Sequence, residues 1–387
     1  MRLLCLGLCL SLFTTSLPAA DRVFTERGAP TSPDYFPIAV WLQSPHNAER
    51  YKAAGINLYV GLWDGPTAEQ LAQLTKAGMP VICEQNDFAK TQLDNPIIAA
   101  WMHGDEPDNA QTKPKAEGGG YGPPILPTEI VAGYQRLRAA DPSRPILLNL
   151  GQGVAWDGWV GRGERTNHPE DYPEYIKGCD LASFDIYPAV HDNPEVAGKL
   201  EFVGRGTRRL AGWAGVRPVW ACIEASRIGN QAVKPTPAQI KSEVWMAIIS
   251  GARGLIYFVH QFEPEFKEAS LLDDPELLKA VTDINAQIRQ LAPILNSGSG
   301  GIYTFTQAGA PEPAVIGFTR FSEGTNYFFT VNLTNQPVQA LLSPRNFKGA
   351  KRQAEELETG AKVPMKEDAL DVGYQPYEVR LFKLKEL

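Results

Sequence analysis

One alternation, repeated eight times between residues 36 and 295, constrains this chain more than any other feature. Short runs rich in β-branched and aromatic residues are separated by amphipathic stretches. The runs are FPIAVWL (36–42), INLYVGLW (56–63), PVICEQ (80–85), IIAAWMHG (97–104), RPILLNLG (144–151), DLASFDIY (180–187), RPVWACIEA (217–225) and GLIYFVHQF (254–262). Between them lie helical patterns such as TAEQLAQLTKAG and TPAQIKSEVWMAIISGA, with DPELLKAVTDINAQIRQLAPIL last. Thr-Pro or Asp-Pro opens these helices, and Gly or Asp-Pro closes them. Strands that are apolar on both faces need cover on both faces, which means a parallel sheet wrapped by helices. Eight such units predict an α/β fold, a (β/α)8 TIM barrel over residues 33–296. A doubly wound open sheet is the alternative, but no GxGxxG turn follows the first strand.

After Leu295 the texture changes. SGSGG breaks the pattern, and GIYTFTQ, AVIGFTRF, TNYFFTVNL and YEVRLFKL follow with turn residues between them. This predicts a small antiparallel, β-sandwich-like domain at 298–387. The first twenty residues differ in kind: Arg2, an apolar run from Leu3 to Phe13, then Leu17-Pro18-Ala19-Ala20. They read as a signal peptide of residues 1–20, so a secreted or periplasmic location is expected. No later segment offers about eighteen uninterrupted apolar residues, so no membrane partner is expected after cleavage. Hydrophobic residues make up 43% and charged residues 21%, as in ordinary soluble proteins. A formal charge of −7, without a basic stripe interleaved with aromatics, argues against a nucleic-acid partner.

In a barrel of this type, chemistry gathers at the C-terminal ends of the strands. Read in order, those ends carry Trp41 and Gln43, Trp63 and Asp64, Glu84 and Asn86, and then His103, Asp105 and Glu106. Later strands add Asn149 and Gln152, Asp185 and Tyr187, Glu224 and Arg227, and His260 and Gln261. The opposite ends hold little beyond Pro, Arg and Gly. Glu106 ends the fourth strand and Glu224 the seventh, on opposite sides of a closed mouth. Two carboxyl groups across a sugar-sized gap are what glycosidic cleavage needs, one protonated and one ionised.

Glutamates after strands four and seven, with a tyrosine after strand six, resemble the retaining glycoside hydrolases of clan A. The resemblance covers roughly residues 36–295 in architecture and site placement. It implies that Glu106, in GDEPD, is the general acid/base, that Glu224, in ACIEASR, is the nucleophile, and that Tyr187, in FDIYP, orients Glu224. Two positions depart from the clan pattern. Asp105 stands where Asn usually precedes the acid/base, and VHQF stands where the last strand usually ends in a tryptophan platform.

Trp41, Trp63, Glu84, His103, Asp105, Asn149, Asp185, Arg227 and His260 are the substrate-binding candidates, with a carbohydrate as the expected partner. Asp108 is expected to cap the loop that follows, and Trp101 to pack in the core. The Gly/Pro-rich stretch 109–127, which contains Tyr121, is long for a βα connection and is expected to border the cleft. The histidines are scattered (46, 103, 168, 191, 260), and neither HxH nor HExxH occurs, so no metal and no cofactor is expected. Cys83, Cys179 and Cys222, an odd set at wide spacing, do not form a disulfide framework. Asn332-Leu333-Thr334 is formally a glycosylation sequon. Two other readings remain: a carbohydrate-binding barrel without catalysis, and a metal-dependent barrel hydrolase using Asp and His at the mouth.

Overall fold

The computed structural model describes residues 32–115, 118–297, 300–305, 313–343, 352–363, 365–366 and 369–386. The leader at 1–20 lies outside the described residues. Eight parallel strands close into a barrel: β1 (Ile38–Trp41), β2 (Leu58–Val60), β3 (Val81–Glu84), β4 (Ile98–Asp105), β5 (Ile146–Leu150), β6 (Leu181–Phe184), β7 (Val219–Glu224) and β8 (Leu255–Phe258). Pairing of β8 back onto β1, with Ala39 opposite Ile256, removes both sheet edges and with them the open-sheet alternative.

The helices start where the sequence punctuation places them. Thr67 caps α2 (Ala68–Ala77) in a reciprocal arrangement with Gln70, and left-handed Gly78 ends it. Thr236 and Gln239 repeat the arrangement at α6 (Pro237–Ile249), and Asp274 caps α7 (Pro275–Leu295). The other helices are α1 (Ala48–Ala53), α3 (Pro127–Ala140), α4 (Tyr172–Tyr175) and α5 (Glu201–Ala214). Two cores result. One fills the barrel with Ala39, Trp41, Val60, Ile82, Leu147, Trp220 and Ile256 among others, and a larger one lies between strands and helices.

At the N-terminal floor Arg144 is wholly buried. Its guanidinium donates to the carbonyls of Ile98, Leu93 and Asn95 and to Asp141, which also accepts from Trp101 Nε1 at 3.0 Å. This ties the ends of β4 and β5 together. It also gives buried Trp101 a partner for its one polar atom.

Beyond α7 two antiparallel sheets form. The six-stranded one runs β14 (Lys362–Val363), β13 (Arg352–Glu356), β17 (Val379–Glu386), β11 (Thr325–Asn332), β10 (Val315–Ser322) and β9 (Ile302–Phe305). The smaller one joins β12 (Val338–Leu342), β16 (Ala369–Tyr374) and β15 (Met365–Lys366). The six-stranded sheet packs on α6: Trp245 lies 5.6 Å from Phe329, and Ser242 Oγ donates to Tyr377 O, just before β17, at 2.7 Å. Asn332 is wholly buried, and its amide donates to Gln336 O and Gln375 O, so the formal sequon is structurally occupied. Among the described residues no helix is long and apolar enough to cross a membrane.

Arg144→Met leaves Asp141 buried without its cation. It is expected to lower unfolding stability by about 3–5 kcal/mol in urea titration, because breaking one half of a buried pair strands the other charge.

Candidate active site

The acids of WMHGDEPD owe their placement to an irregular backbone. Met102 pairs opposite Leu147 and Asp105 opposite Asn149, so β4 spends three residues where β5 spends two. Met102 faces the barrel interior, and the extra residue brings Asp105 to the same side. Glu106 then adopts φ 41°, a left-handed conformation rare outside glycine, which turns a second consecutive carboxylate toward the mouth. Leu42 (φ 47°), Asp64 (φ 49°) and Ile228 (φ 55°) share this conformation just past other strand ends, so backbone strain collects on this rim.

Asn149 organises what the bulge delivers. Its Nδ2 donates to Asp105 Oδ1 at 2.9 Å and to Asp185 Oδ2 at 3.4 Å, while its Oδ1 accepts from Ser183 Oγ at 2.7 Å. Glu106 is hydrogen-bonded to Asp185 and to Asn109. Burial, followed by the Asp105 charge, pushes the Glu106 carboxyl up to about 7. Burial and the neighbouring Glu106 and Asp105 hold Asp185 well above the ordinary carboxylate range. Asp185 therefore keeps the proton and donates it to Glu106. Burial also raises Asp105, against the Asn149 hydrogen bond, although one side of this residue is open to solvent. Gly151 lies beneath the cluster, where a Cβ would come within 2.9 Å of Glu106 Oε1 and push that side chain aside. Asp108 does tie down its loop, accepting from Gly151 N and Tyr172 OH, each at 2.9 Å.

Glu224 ends β7, but its carboxylate leaves the mouth. It is 0% exposed, accepts from Ala189 N at 2.6 Å and Val190 N at 3.2 Å, and is hydrogen-bonded to Glu243 of α6. Cys222, two residues earlier, faces the barrel interior, and strict alternation would send Glu224 there too. The two amides of the β6–α5 connection draw it outward instead. Tyr187 stays inside, its ring 5.2 Å from Phe258 and its buried hydroxyl without a hydrogen-bond partner, so it does not orient Glu224.

The remaining candidates divide. Trp41 is buried in the barrel filling and offers no platform. His103 turns to α3, with Nε2 2.9 Å from Ile130 O, and so lies outside the mouth. Glu84 is exposed and shares a shallow groove with Lys90, His103 and Arg136. Arg227 donates to Gln231 O at 3.0 Å within its own loop. Tyr121 is 74% exposed. Trp63 is 44% exposed, donates Nε1 to Glu268 Oε1 at 3.0 Å, and meets His260 edge to face at 5.8 Å. With Phe266, Gln43 and Asp64 it lines a groove of about 670 Å³ on the β1–β2 side of the rim. His260 Nε2 lies 3.1 Å from Leu42 O and from Gln43 Nε2, while its buried Nδ1 has no partner. Burial brings its pKa down to about 4, so it is neutral near pH 7. Among the described residues no group of three or more His, Cys, Asp or Glu is placed to hold a metal ion.

Sequence reasoning passed over Asn109, Gly151, Ser183, Glu243 and Glu268. Glu243 alone carried a signal, as a lone acid inside the apolar run VWMAII and its approach.

No family model matches this sequence, and no curated protein sequence does. Solved structures are similar across nearly the whole chain. AmyP bound to maltose has TM-score 0.56 and 9% identity, covering 91% of this chain and 96% of that one. AmyP bound to maltotriose has TM-score 0.54 and 9% identity, covering 92% and 97%. A candidate alpha-galactosidase from Bacteroides fragilis has TM-score 0.55 and 11% identity, covering 91% and 80%. At such identity the likeness is one of fold: a barrel followed by further structure at the C-terminal end.

Asn149→Leu removes the donor shared by Asp105 and Asp185. Carbon-13 NMR of the carboxyl groups should show Asp105 titrating at higher pH than in the parent, because the bond that favours its ionised form is gone.

Proposed function

We propose that this chain is a glycoside hydrolase in which Glu106 donates the proton to the leaving oxygen and Asp105 supplies the stabilising anion. The observation that carries this reading is the bulged end of β4, which turns two consecutive carboxyl groups into one mouth with unequal environments. Glu106, raised to about 7, is protonated in weakly acidic solution and can act as an acid. Asp105 accepts from Asn149 and presents an open face, which suits a group that stays charged beside an oxocarbenium-like centre. Exposed indole and phenyl faces at Trp63 and Phe266 suit the C–H faces of sugars. The similarity in fold to proteins solved with maltose and maltotriose lends the substrate class support. The nucleophile's role is not given to Glu224, whose two oxygens are committed to Ala189, Val190 and Glu243.

Secretion belongs to the same reading, supported by the Leu3–Phe13 run and the small residues before Asp21. Protein recovered outside the cytoplasm should begin at Asp21.

Glu106→Gln is expected to lower kcat about 10²–10⁴-fold on a cleaved glycan, with the circular dichroism spectrum unchanged. The parent's kcat/KM should fall as pH rises past about 7, where Glu106 loses its proton. In Asp105→Asn the charge that raises Glu106 is gone, so this alkaline limb should move to lower pH in the residual activity. Glycan binding by calorimetry, with no reducing sugar released across a broad panel, would instead establish a binding barrel. Proton NMR of the first-formed product assigns the role of Asp105: a retained anomer makes it the nucleophile, an inverted one the base for water.

A further inference from the structure

Two buried carboxyl groups remain that the proposed chemistry does not use. Glu224 and Glu243 are both wholly buried and hydrogen-bonded to each other. Glu224 accepts two backbone amides, from Ala189 and Val190, while among the described residues Glu243 has no partner beyond Glu224. Helix α6 packs against α5, α7, β7 and the C-terminal strands β10, β11 and β17. Among the described residues none of these elements sends a charged group to the pair, whose electrostatic surroundings are each other and the two amides. A buried anion facing two N–H groups is tolerable, and a second anion beside it is not. Glu243, with no other donor in reach, must supply the proton of the bond it shares with Glu224.

The amides that Glu224 holds belong to the connection that leaves β6 through Asp185 and Tyr187. The same segment is held from the far side by Asn230 Nδ2, which donates to Val190 O at 2.9 Å.

We infer that Glu224 and Glu243 are positioning residues: a one-proton carboxyl pair that grips the Ala189 and Val190 amides and so sets Asp185 and Tyr187 against Glu106. The activity readouts of this inference rest on the glycosidase reading; the clamp itself does not. Burial raises Glu224 to about 7 and Glu243 well above the carboxylate range. Raised acids contribute stability that is full below the ordinary range, about 4.5, and is lost as pH climbs through about 7 and beyond. Above about 7 Glu224 is ionised while Glu243 keeps its proton, so the one-proton grip on the connection holds at pH 8.

The test compares the full chain with Glu243→Gln, Glu224→Gln and Glu106→Gln, by hydrogen-exchange mass spectrometry at pH 6 and pH 8 and by steady-state kinetics. In the parent, the peptide spanning 185–191 should exchange at pH 8 no faster than intrinsic amide chemistry accounts for. Glu243→Gln donates to Glu224 without needing a titratable proton. It should keep slow exchange at both pH values and kcat within about threefold. Glu224→Gln has one acceptor oxygen for two amides. It should speed exchange of 185–191 about tenfold or more and lower kcat about tenfold, with KM within about threefold. Unchanged exchange in Glu224→Gln overturns the clamp, whatever the activity. A loss of turnover in Glu224→Gln as complete as in Glu106→Gln, with exchange unchanged, would give Glu224 a direct chemical role. Full activity in Glu106→Gln would sink the glycosidase reading and leave the exchange comparison to decide the clamp.

Discussion

The closure of β8 onto β1 is the constraint from which the rest of this molecule follows. With Ala39 paired to Ile256, no strand edge is left to satisfy, and all eight strands must end on the same rim. Residues far apart in sequence are forced together there. Asp105 and Asp185 come to share one asparagine only because β4, β5 and β6 are neighbours in the ring. The rim concentrates cost as well: three acids crowd one side, and four non-glycine residues past strand ends hold left-handed backbone. The buried floor, with Arg144 satisfied on every side, offsets part of that cost at the opposite end.

The carboxyl groups sort into two sets by the donors near them. Asp105, Glu106 and Asp185 are supplied by side-chain amides and by one another, and Asp105 keeps a face open to solvent. Asp108 and Glu224 each accept backbone amides, with Tyr172 OH or Glu243 completing the set, which fixes a loop in place and consumes the acceptor. The same residue type thus clusters at the mouth in one set and holds a loop in the other. Local donor geometry, and not position after a strand, makes the difference.

That distinction explains how far the sequence could be read. The barrel was legible because its signal is summed over eight strand–helix units, each with its own caps, as at Thr67 and Thr236. Glu106, Asp105, Asn149 and Asp185 were legible as rim residues for the same reason. The direction in which Glu224 points was not, since it depends on amides 34 and 35 residues earlier in the chain. His103 was misread because its place near the strand end was weighed above alternation, which sends the residue after interior-facing Met102 outward to α3. In the C-terminal region the long strands β10, β11 and β17 carried clear alternation, whereas β14 and β15, at two residues each, are set by their partners and not by pattern.

The packing of the six-stranded sheet on α6 has a bearing on heredity. Ser242 and Trp245 fasten that helix to the β-domain, and Glu243 sits between them facing the other way. A helix shared like this cannot serve as a seam along which the two parts are cut and rejoined to new neighbours. The small domain is then less a passenger on the barrel than its outer wall, and the two would be expected to drift, duplicate and recombine as one piece.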